Sequence, residues 1–274
     1  MANFRLGAHT YVFTQYGYDQ AERLDEIFDI VARTGYPSIE LHSPMFDPPD
    51  WKARMMAARE RTGLEIVGGS SGGQLWDAAK WNDIRAMMDT YSAKLRQLAE
   101  AGAGGRSGMK CGFSCSGKHF ADRSAAENQQ VIDAWTKLGE MCRARGVTLN
   151  YHTHGEPIED IQHVIDNVPA DLVPLGPDLD WLRVGGVDPE AFLRTNGPRV
   201  VMMHIRDYHV GGDRTEALGE GDVDYARLGR VLDEIGFTGD FVVELAIPAG
   251  KEPTRGVEEL LRISRAHLAE TMGL

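Results

Sequence analysis

Short β-forming runs alternate with longer helical stretches along the whole chain, and that alternation constrains the fold more than any other feature. The first run, 5–12 (RLGAHTYV), precedes a helical stretch in which Leu24, Ile27, Phe28, Ile30 and Val31 recur at three- and four-residue spacing. Gly35-Tyr36-Pro37 stops that helix and leads into a strand at 38–42. Helix 51–62 ends at Gly63, strand 64–69 follows, and the third helix covers 76–101. Strand 108–116, helix 125–145, strand 147–154 and helix 158–167 continue the series. After strand 172–178, Asp188-Pro189 opens a sixth helix, with Asp as its N-cap and Pro in its first turn. Strand 199–206, helix 225–235 closed by Gly236, strand 240–246 and helix 252–272 complete eight units. Strict alternation implies a parallel α/β sheet, and eight units imply its closure into a (β/α)8 barrel.

The length of 274 residues suits a single barrel domain over 1–274, since such barrels need ~250. The competing open, doubly wound sheet lacks its marks. No GxGxxG follows the first strand, and no GxxxxGK[ST] occurs anywhere. A net charge of −12 with no basic run speaks against nucleic acid as a partner. No apolar stretch approaches the ~20 residues of a membrane span, and the first residues lack the layout of a signal peptide. Cys111, Cys115 and Cys142 are odd in number and form no CxxC pair, so a disulfide framework is not expected. These features together predict a cytoplasmic protein that neither enters a membrane nor binds nucleic acid.

In a barrel of this kind, function sits at the C-terminal ends of the strands. The polar residues there are His9, Glu40 and His42, Ser70 and Ser71, His152 and His154, Asp178 and Asp180, His204, Arg206 and Asp207, and Glu244. A charged residue inside an apolar strand needs a partner. Glu244 in Phe-Val-Val-Glu-Leu and His204 after Val-Val-Met-Met are the clearest cases, a pairing of Glu244 with Arg206 being the alternative to a metal. Asp178, His204 and Glu244 lie on three adjacent strands and converge on the barrel axis. Carboxylates brought so close repel and call for a cation between them. Oxygen ligands with one or two imidazoles suit one divalent metal ion, Mn, Zn, Co or Mg.

The chain resembles the sugar phosphate isomerase/epimerase superfamily, the xylose-isomerase-like TIM barrels, over essentially its whole length. The resemblance is carried by Gly35-Tyr36-Pro37-Ser38-Ile39-Glu40-Leu41, Tyr151-His152-Thr153-His154 and Asp178-Leu179-Asp180-Trp181. It continues in Gly186-Val187-Asp188-Pro189, His204-Ile205-Arg206-Asp207, Gly219-Glu220-Gly221 and Glu244. It implies a metal held by a strand-five residue together with Asp178, His204 and Glu244. The strand-five residue is Glu in the well-known epimerases, where it also moves protons. Here His152 stands at that position and Glu156 lies four residues on, so both are candidates for the fourth ligand. Trp181 replaces a second histidine found in many members and is expected as an apolar wall of the substrate site.

The implied activity is isomerisation or epimerisation of a keto-sugar or keto-polyol, by α-proton abstraction through a metal-stabilised enediolate. Glu244, His152 and His154 are the candidate bases. Elimination of a β-hydroxyl, as in an inosose dehydratase or a keto-glycoside lyase, begins with the same step. His9, Glu40, His42, His154, Glu156, Trp181 and Arg206 are the expected substrate contacts, Glu40 and His42 being alternatively supports for the metal. Arg206 is expected to orient a carboxylate or phosphate, or else to pair with Asp207 or Asp180. The partner implied is a small carbohydrate, with a homo-oligomer left open. Metal-dependent endonucleases of abasic DNA share the superfamily, but the charge opposes that class. A sugar-binding barrel without catalysis is the remaining alternative.

Overall fold

Seven parallel strands form one curled sheet in the computed structural model, which describes residues 4–274. They are β1 (Arg5–His9), β2 (Ser38–Leu41), β3 (Glu65–Gly73), β4 (Met109–Cys115), β5 (Val147–Tyr151), β6 (Met202–Ile205) and β7 (Asp240–Val243). Their order in the sheet is β5-β4-β3-β2-β1-β7-β6. Around them lie α1 (Tyr11–Gln15), α2 (Leu24–Arg33), α3 (Trp51–Thr62), α4 (Trp81–Glu100), α5 (Ala125–Arg143), α6 (Ile158–Asn167), α7 (Leu179–Val184), α8 (Pro189–Asn196), α9 (Tyr225–Glu234) and α10 (Val257–Met272). No helix among the described residues is long and apolar enough to cross a membrane.

The barrel closes through residues 174–178, where the sequence predicts a full strand over 172–178. Gly176 N donates to Tyr151 O at 2.8 Å on one side, and Val201 N donates to Leu175 O at 2.9 Å on the other. Only isolated parallel bridges form there, at Tyr151–Leu175, Leu175–Val200 and Asp178–His204. Pro174 and Pro177 lack an N–H and cannot donate to a ladder, which is why the segment pairs without becoming a regular strand. Other boundaries move as well, among them the third strand, which runs on to Gly73, and the last helix, which begins at Val257. The first strand ends at His9, because residues 11–15 turn into α1. The third helix begins at Trp81 rather than 76, because residues 74–80 form successive turns, one held by Ala79 N on Asp77 Oδ1 at 3.0 Å.

Local chemistry explains the helix ends. Ser124 and Glu127 form a reciprocal capping box at the start of α5. Asp188 caps α8, with Ala191 N on Asp188 Oδ1 at 2.7 Å and Pro189 in the first turn. Gly63 ends α3 at φ 73°, a conformation open to glycine.

Strand residues divide by the two-residue period. Leu6, Ala8, Met203, Ile205, Phe241 and Val243 face outward into the main core under the helices. The alternate residues fill the barrel in layers. At the N-terminal end, Lys110 reaches across the barrel to Asp240, which also pairs with Arg5. Val67, Met202 and Val242 form a separate apolar layer. The C-terminal layer holds Glu40, His152, Asp178, His204 and Glu244, all buried. Such layering is how a small barrel fills its interior.

Candidate metal centre

His152, Asp178, His204 and Glu244 each offer one ligand atom, and the four atoms lie within 4.8 Å of one another. They come from four neighbouring strand positions. His152 follows β5, Asp178 ends the closing segment, His204 lies on β6 and Glu244 follows β7. The arrangement leaves lone pairs unsatisfied. His152 Nδ1, His204 Nδ1 and Glu244 Oε2 are buried and have no hydrogen-bond partner. His204 Nδ1 and Glu244 Oε2 are 2.8 Å apart but not aligned for a hydrogen bond. Buried polar atoms without partners are costly, and a cation that displaces the proton of His204 Nδ1 would satisfy all three. The two imidazoles and two carboxylates therefore fit a divalent ion.

A second ring of contacts aims these groups. His204 Nε2 stands 2.6 Å from Glu40 Oε2, which leaves Nδ1 facing the cluster. A carboxylate behind a ligating histidine fixes ring and tautomer in this way. Glu40 thus sits behind His204 and does not line the cavity, the position that suits the second of its two expected roles, support of the metal. Burial opposes charging His204, yet Glu40 and Glu244 outweigh it and hold the imidazole well above its ordinary value. A metal at Nδ1 would replace that proton. Burial likewise opposes charge on Glu244, but Arg206 and His204 prevail and keep its carboxyl well below the usual range.

Asp178 serves two neighbours. Its Oδ1 accepts from Asp180 N at 2.9 Å and Trp181 N at 3.0 Å, capping α7. Its Oδ2 accepts from Arg206 Nε at 2.9 Å, and Arg206 Nη2 lies 2.8 Å from Glu244 Oε1. The expected pairing of Arg206 with Asp207 or Asp180 does not occur. Asp207 instead accepts backbone N–H groups of Tyr208, Gly219, Gly221 and Val223 at 2.8 to 3.2 Å, fixing the loop that follows β6. A Cβ at Gly221 would lie 2.4 Å from Asp207 Oδ1, so the loop needs glycine there. Asp180 is held by Arg183 Nη2 at 2.7 Å and by Arg214 Nε.

Glu156 does not join the cluster. Its side chain folds back on its own turn, where Oε2 accepts from His154 N at 2.5 Å. Burial pushes this carboxyl up to about 7. Of the two residues expected as the fourth ligand, His152 is the one that stands with the other three.

A cavity of about 600 Å³ opens on the cluster. His9 accepts from Tyr11 N on Nδ1 at 3.0 Å, so its proton lies on Nε2, which reaches Ser70 Oγ at 3.1 Å. Burial lowers its imidazole pKa, which keeps the ring neutral. His42 is half-buried at the rim, and burial with nearby His9 takes it down to about 4. His154 and Trp181 also line the cavity, their ring centroids 4.2 Å apart. Arg214 lies 4.3 Å from the centroid of the same indole. Arg214 escaped the sequence reading because it sits in a loop without periodicity. The one available signal was the buried Asp180, which had to find a cation.

Known proteins fit this architecture. The model of the xylose isomerase-like TIM barrel family matches residues 28–267, and the chain belongs to that family. In sequence it is 23% identical over 256 residues to an inosose dehydratase of Geobacillus kaustophilus, covering 80% of this chain and 79% of that protein. In structure it is similar to an L-ribulose 3-epimerase, with a TM-score of 0.77, 20% identity and coverage of 98% and 95% of the two chains. It is also similar to the D-psicose 3-epimerase of Clostridium cellulolyticum H10, with a TM-score of 0.76, 14% identity and 98% of each chain covered. At these identities the structural likeness speaks for the fold.

Proposed function

We propose that this protein is a divalent-metal-dependent isomerase or epimerase that removes the proton α to the ketone of a keto-sugar or keto-polyol. The observation that carries the reading is the convergence of His152, Asp178, His204 and Glu244 within 4.8 Å, with lone pairs left bare in a buried layer. Mn, Zn, Co or Mg bound there supplies polarisation of a carbonyl oxygen, which acidifies the neighbouring C–H. The chain's own groups supply the rest. His152 is held well below its ordinary pKa by burial, so the ring is neutral, which suits a metal ligand; it is also one candidate base. Glu244 is the second acid–base candidate and His154 the third. The Trp181 and His154 rings offer a flat face to a sugar ring, and Ser70 and His42 offer polar contacts at the rim.

A second reading is dehydration, the loss of a β-hydroxyl after the same proton abstraction. It is supported by the sequence relative, an inosose dehydratase, and by His152 at the position where the well-known epimerases carry glutamate.

Proton exchange tests both readings. Protein loaded with Mn²⁺ is incubated in D₂O with ketoses, inososes and 3-keto-glycosides, and products are followed by mass and by NMR. Deuterium at the α-carbon with an unchanged carbon skeleton is the expected result, and loss of water marks the dehydratase. Glu244→Gln should abolish exchange with every member of the panel, and full exchange in that variant would sink the assignment.

A further inference from the structure

Arg206 lies between two of the four candidate ligands, and its position bears on how a metal binds. Its Nε donates to Asp178 Oδ2 at 2.9 Å, and its Nη2 is 2.8 Å from Glu244 Oε1. Asp178 Oδ1 is already engaged by two backbone N–H groups, so Oδ2 is the oxygen that Arg206 and a metal must share. We propose that Arg206 is a built-in competitor of the metal: its guanidinium balances Asp178 and Glu244, and a divalent ion binds against that charge. The inference rests on reading His152, Asp178, His204 and Glu244 as a metal centre.

The alternative is that Arg206 merely orients the two carboxylates and so helps metal binding. Two observations decide against it. First, orientation has other sources. Asp178 is locked by the start of α7, the Glu244 carboxylate also faces His204 Nδ1 at 2.8 Å, and His204 is set by Glu40. Removing Arg206 leaves each of these in place. Second, the guanidinium reaches two residues whose ligand atoms lie within 4.8 Å of the others, and Arg206 is buried, 7% exposed. A full positive charge so near a dication, where water screens little, repels it by more than the lost orientation would return.

The test uses the full chain, stripped of metal, with Mn²⁺ as the probe. Wild type, Arg206→Met and Arg206→Lys are titrated by calorimetry and by the Mn²⁺ EPR signal. Melting is recorded with chelator and with saturating Mn²⁺. Arg206→Met is expected to bind one Mn²⁺ at least about tenfold more tightly than wild type, since a like charge is gone. Its metal-free melting temperature falls, and the gap between metal-free and loaded protein widens. Arg206→Lys keeps the charge and stays near wild type. If Arg206→Met fails to fold, Arg206→Gln, which keeps a donor for Asp178 without the charge, carries the same expectation. Equal or weaker Mn²⁺ binding in the uncharged variants, with wild type binding one ion, overturns the competitor role and leaves the metal centre standing. Wild type that binds no stoichiometric Mn²⁺, Zn²⁺ or Co²⁺ overturns both.

Discussion

The two ends of the barrel both bury charge, and they bury it differently. At the N-terminal end, Asp240 takes Arg5 Nε on Oδ1 at 2.6 Å and Lys110 Nζ on Oδ2. Lys110 also donates to Ser107 O at 3.0 Å, and Arg5 Nη1 to Glu65 at 2.5 Å and Gly104 O at 3.0 Å. Every carboxylate oxygen of Asp240 is answered, and the atom left over is a donor, Arg5 Nη2. At the C-terminal end a donor, Trp181 Nε1, is also left over on the cavity wall, but the atoms that converge are of the other kind. They are His152 Nδ1 and Glu244 Oε2, joined by His204 Nδ1 once a metal displaces its proton. A spare donor gives a metal ion nothing to hold, whereas converging spare acceptors do. Buried charge alone therefore does not mark a site, and the sign of what is left unsatisfied does.

Removing one partner at the closed end should have the largest effect. Asp240→Asn leaves Lys110 buried without its counter-charge and Arg5 with Glu65 alone, which should cost about 3–5 kcal/mol. For a chain of this size that lowers the melting temperature on the order of 10 °C. Mn²⁺ affinity should hold, and a parallel loss of metal binding would break the comparison between the two ends.

Glu156 offers a third case, a buried carboxyl met only by backbone N–H. Its pKa rises from 4.5 to about 7 by burial, so the fold holds this proton more tightly than the unfolded chain does. Its contribution to stability is complete below about pH 4.5 and is lost as pH climbs through about 7, a change of up to about 3 kcal/mol. Glu156→Gln should remove this slope. Denaturant midpoints measured between about pH 4 and 8 would tell, and identical pH profiles for both proteins would rule out a buried titrating Glu156.

The smallest expected change concerns the orientation of His204. Glu40→Gln keeps the shape but withdraws the charge behind Nε2, and should weaken Mn²⁺ binding about 10- to 100-fold. In free energy that is about 1.4–2.7 kcal/mol. Calorimetric titration beside the Asp240→Asn variant sharpens the contrast, because Glu40→Gln acts on the open end and should leave metal-free melting nearer wild type.

Much of this was legible along the chain. The eight strand–helix units follow from apolar periodicity and from stops such as Gly63 and Asp188-Pro189. The two-residue period of a strand puts Asp240, Val242 and Glu244 on one face, so a charged residue at each end of that strand had to point inside. Placing Asp178, His204 and Glu244 at strand ends required no more than counting. The breaks in regularity were harder. Pro174 and Pro177 were visible, yet nothing local tells whether the segment bridges both edges of the sheet or leaves the barrel.

The sequence by itself determined the barrel and which residues gather at its open end, because strand period and the parallel order of the units are local properties summed along the chain. Tertiary structure alone decided the long-range pairings: Arg206 with Asp178 as well as Glu244 and not with its neighbour Asp207, Glu40 behind His204, and Arg214 on Asp180. These contacts span up to 164 residues and cross the barrel interior, where the register between distant strands sets who meets whom. No pattern within one strand encodes that register.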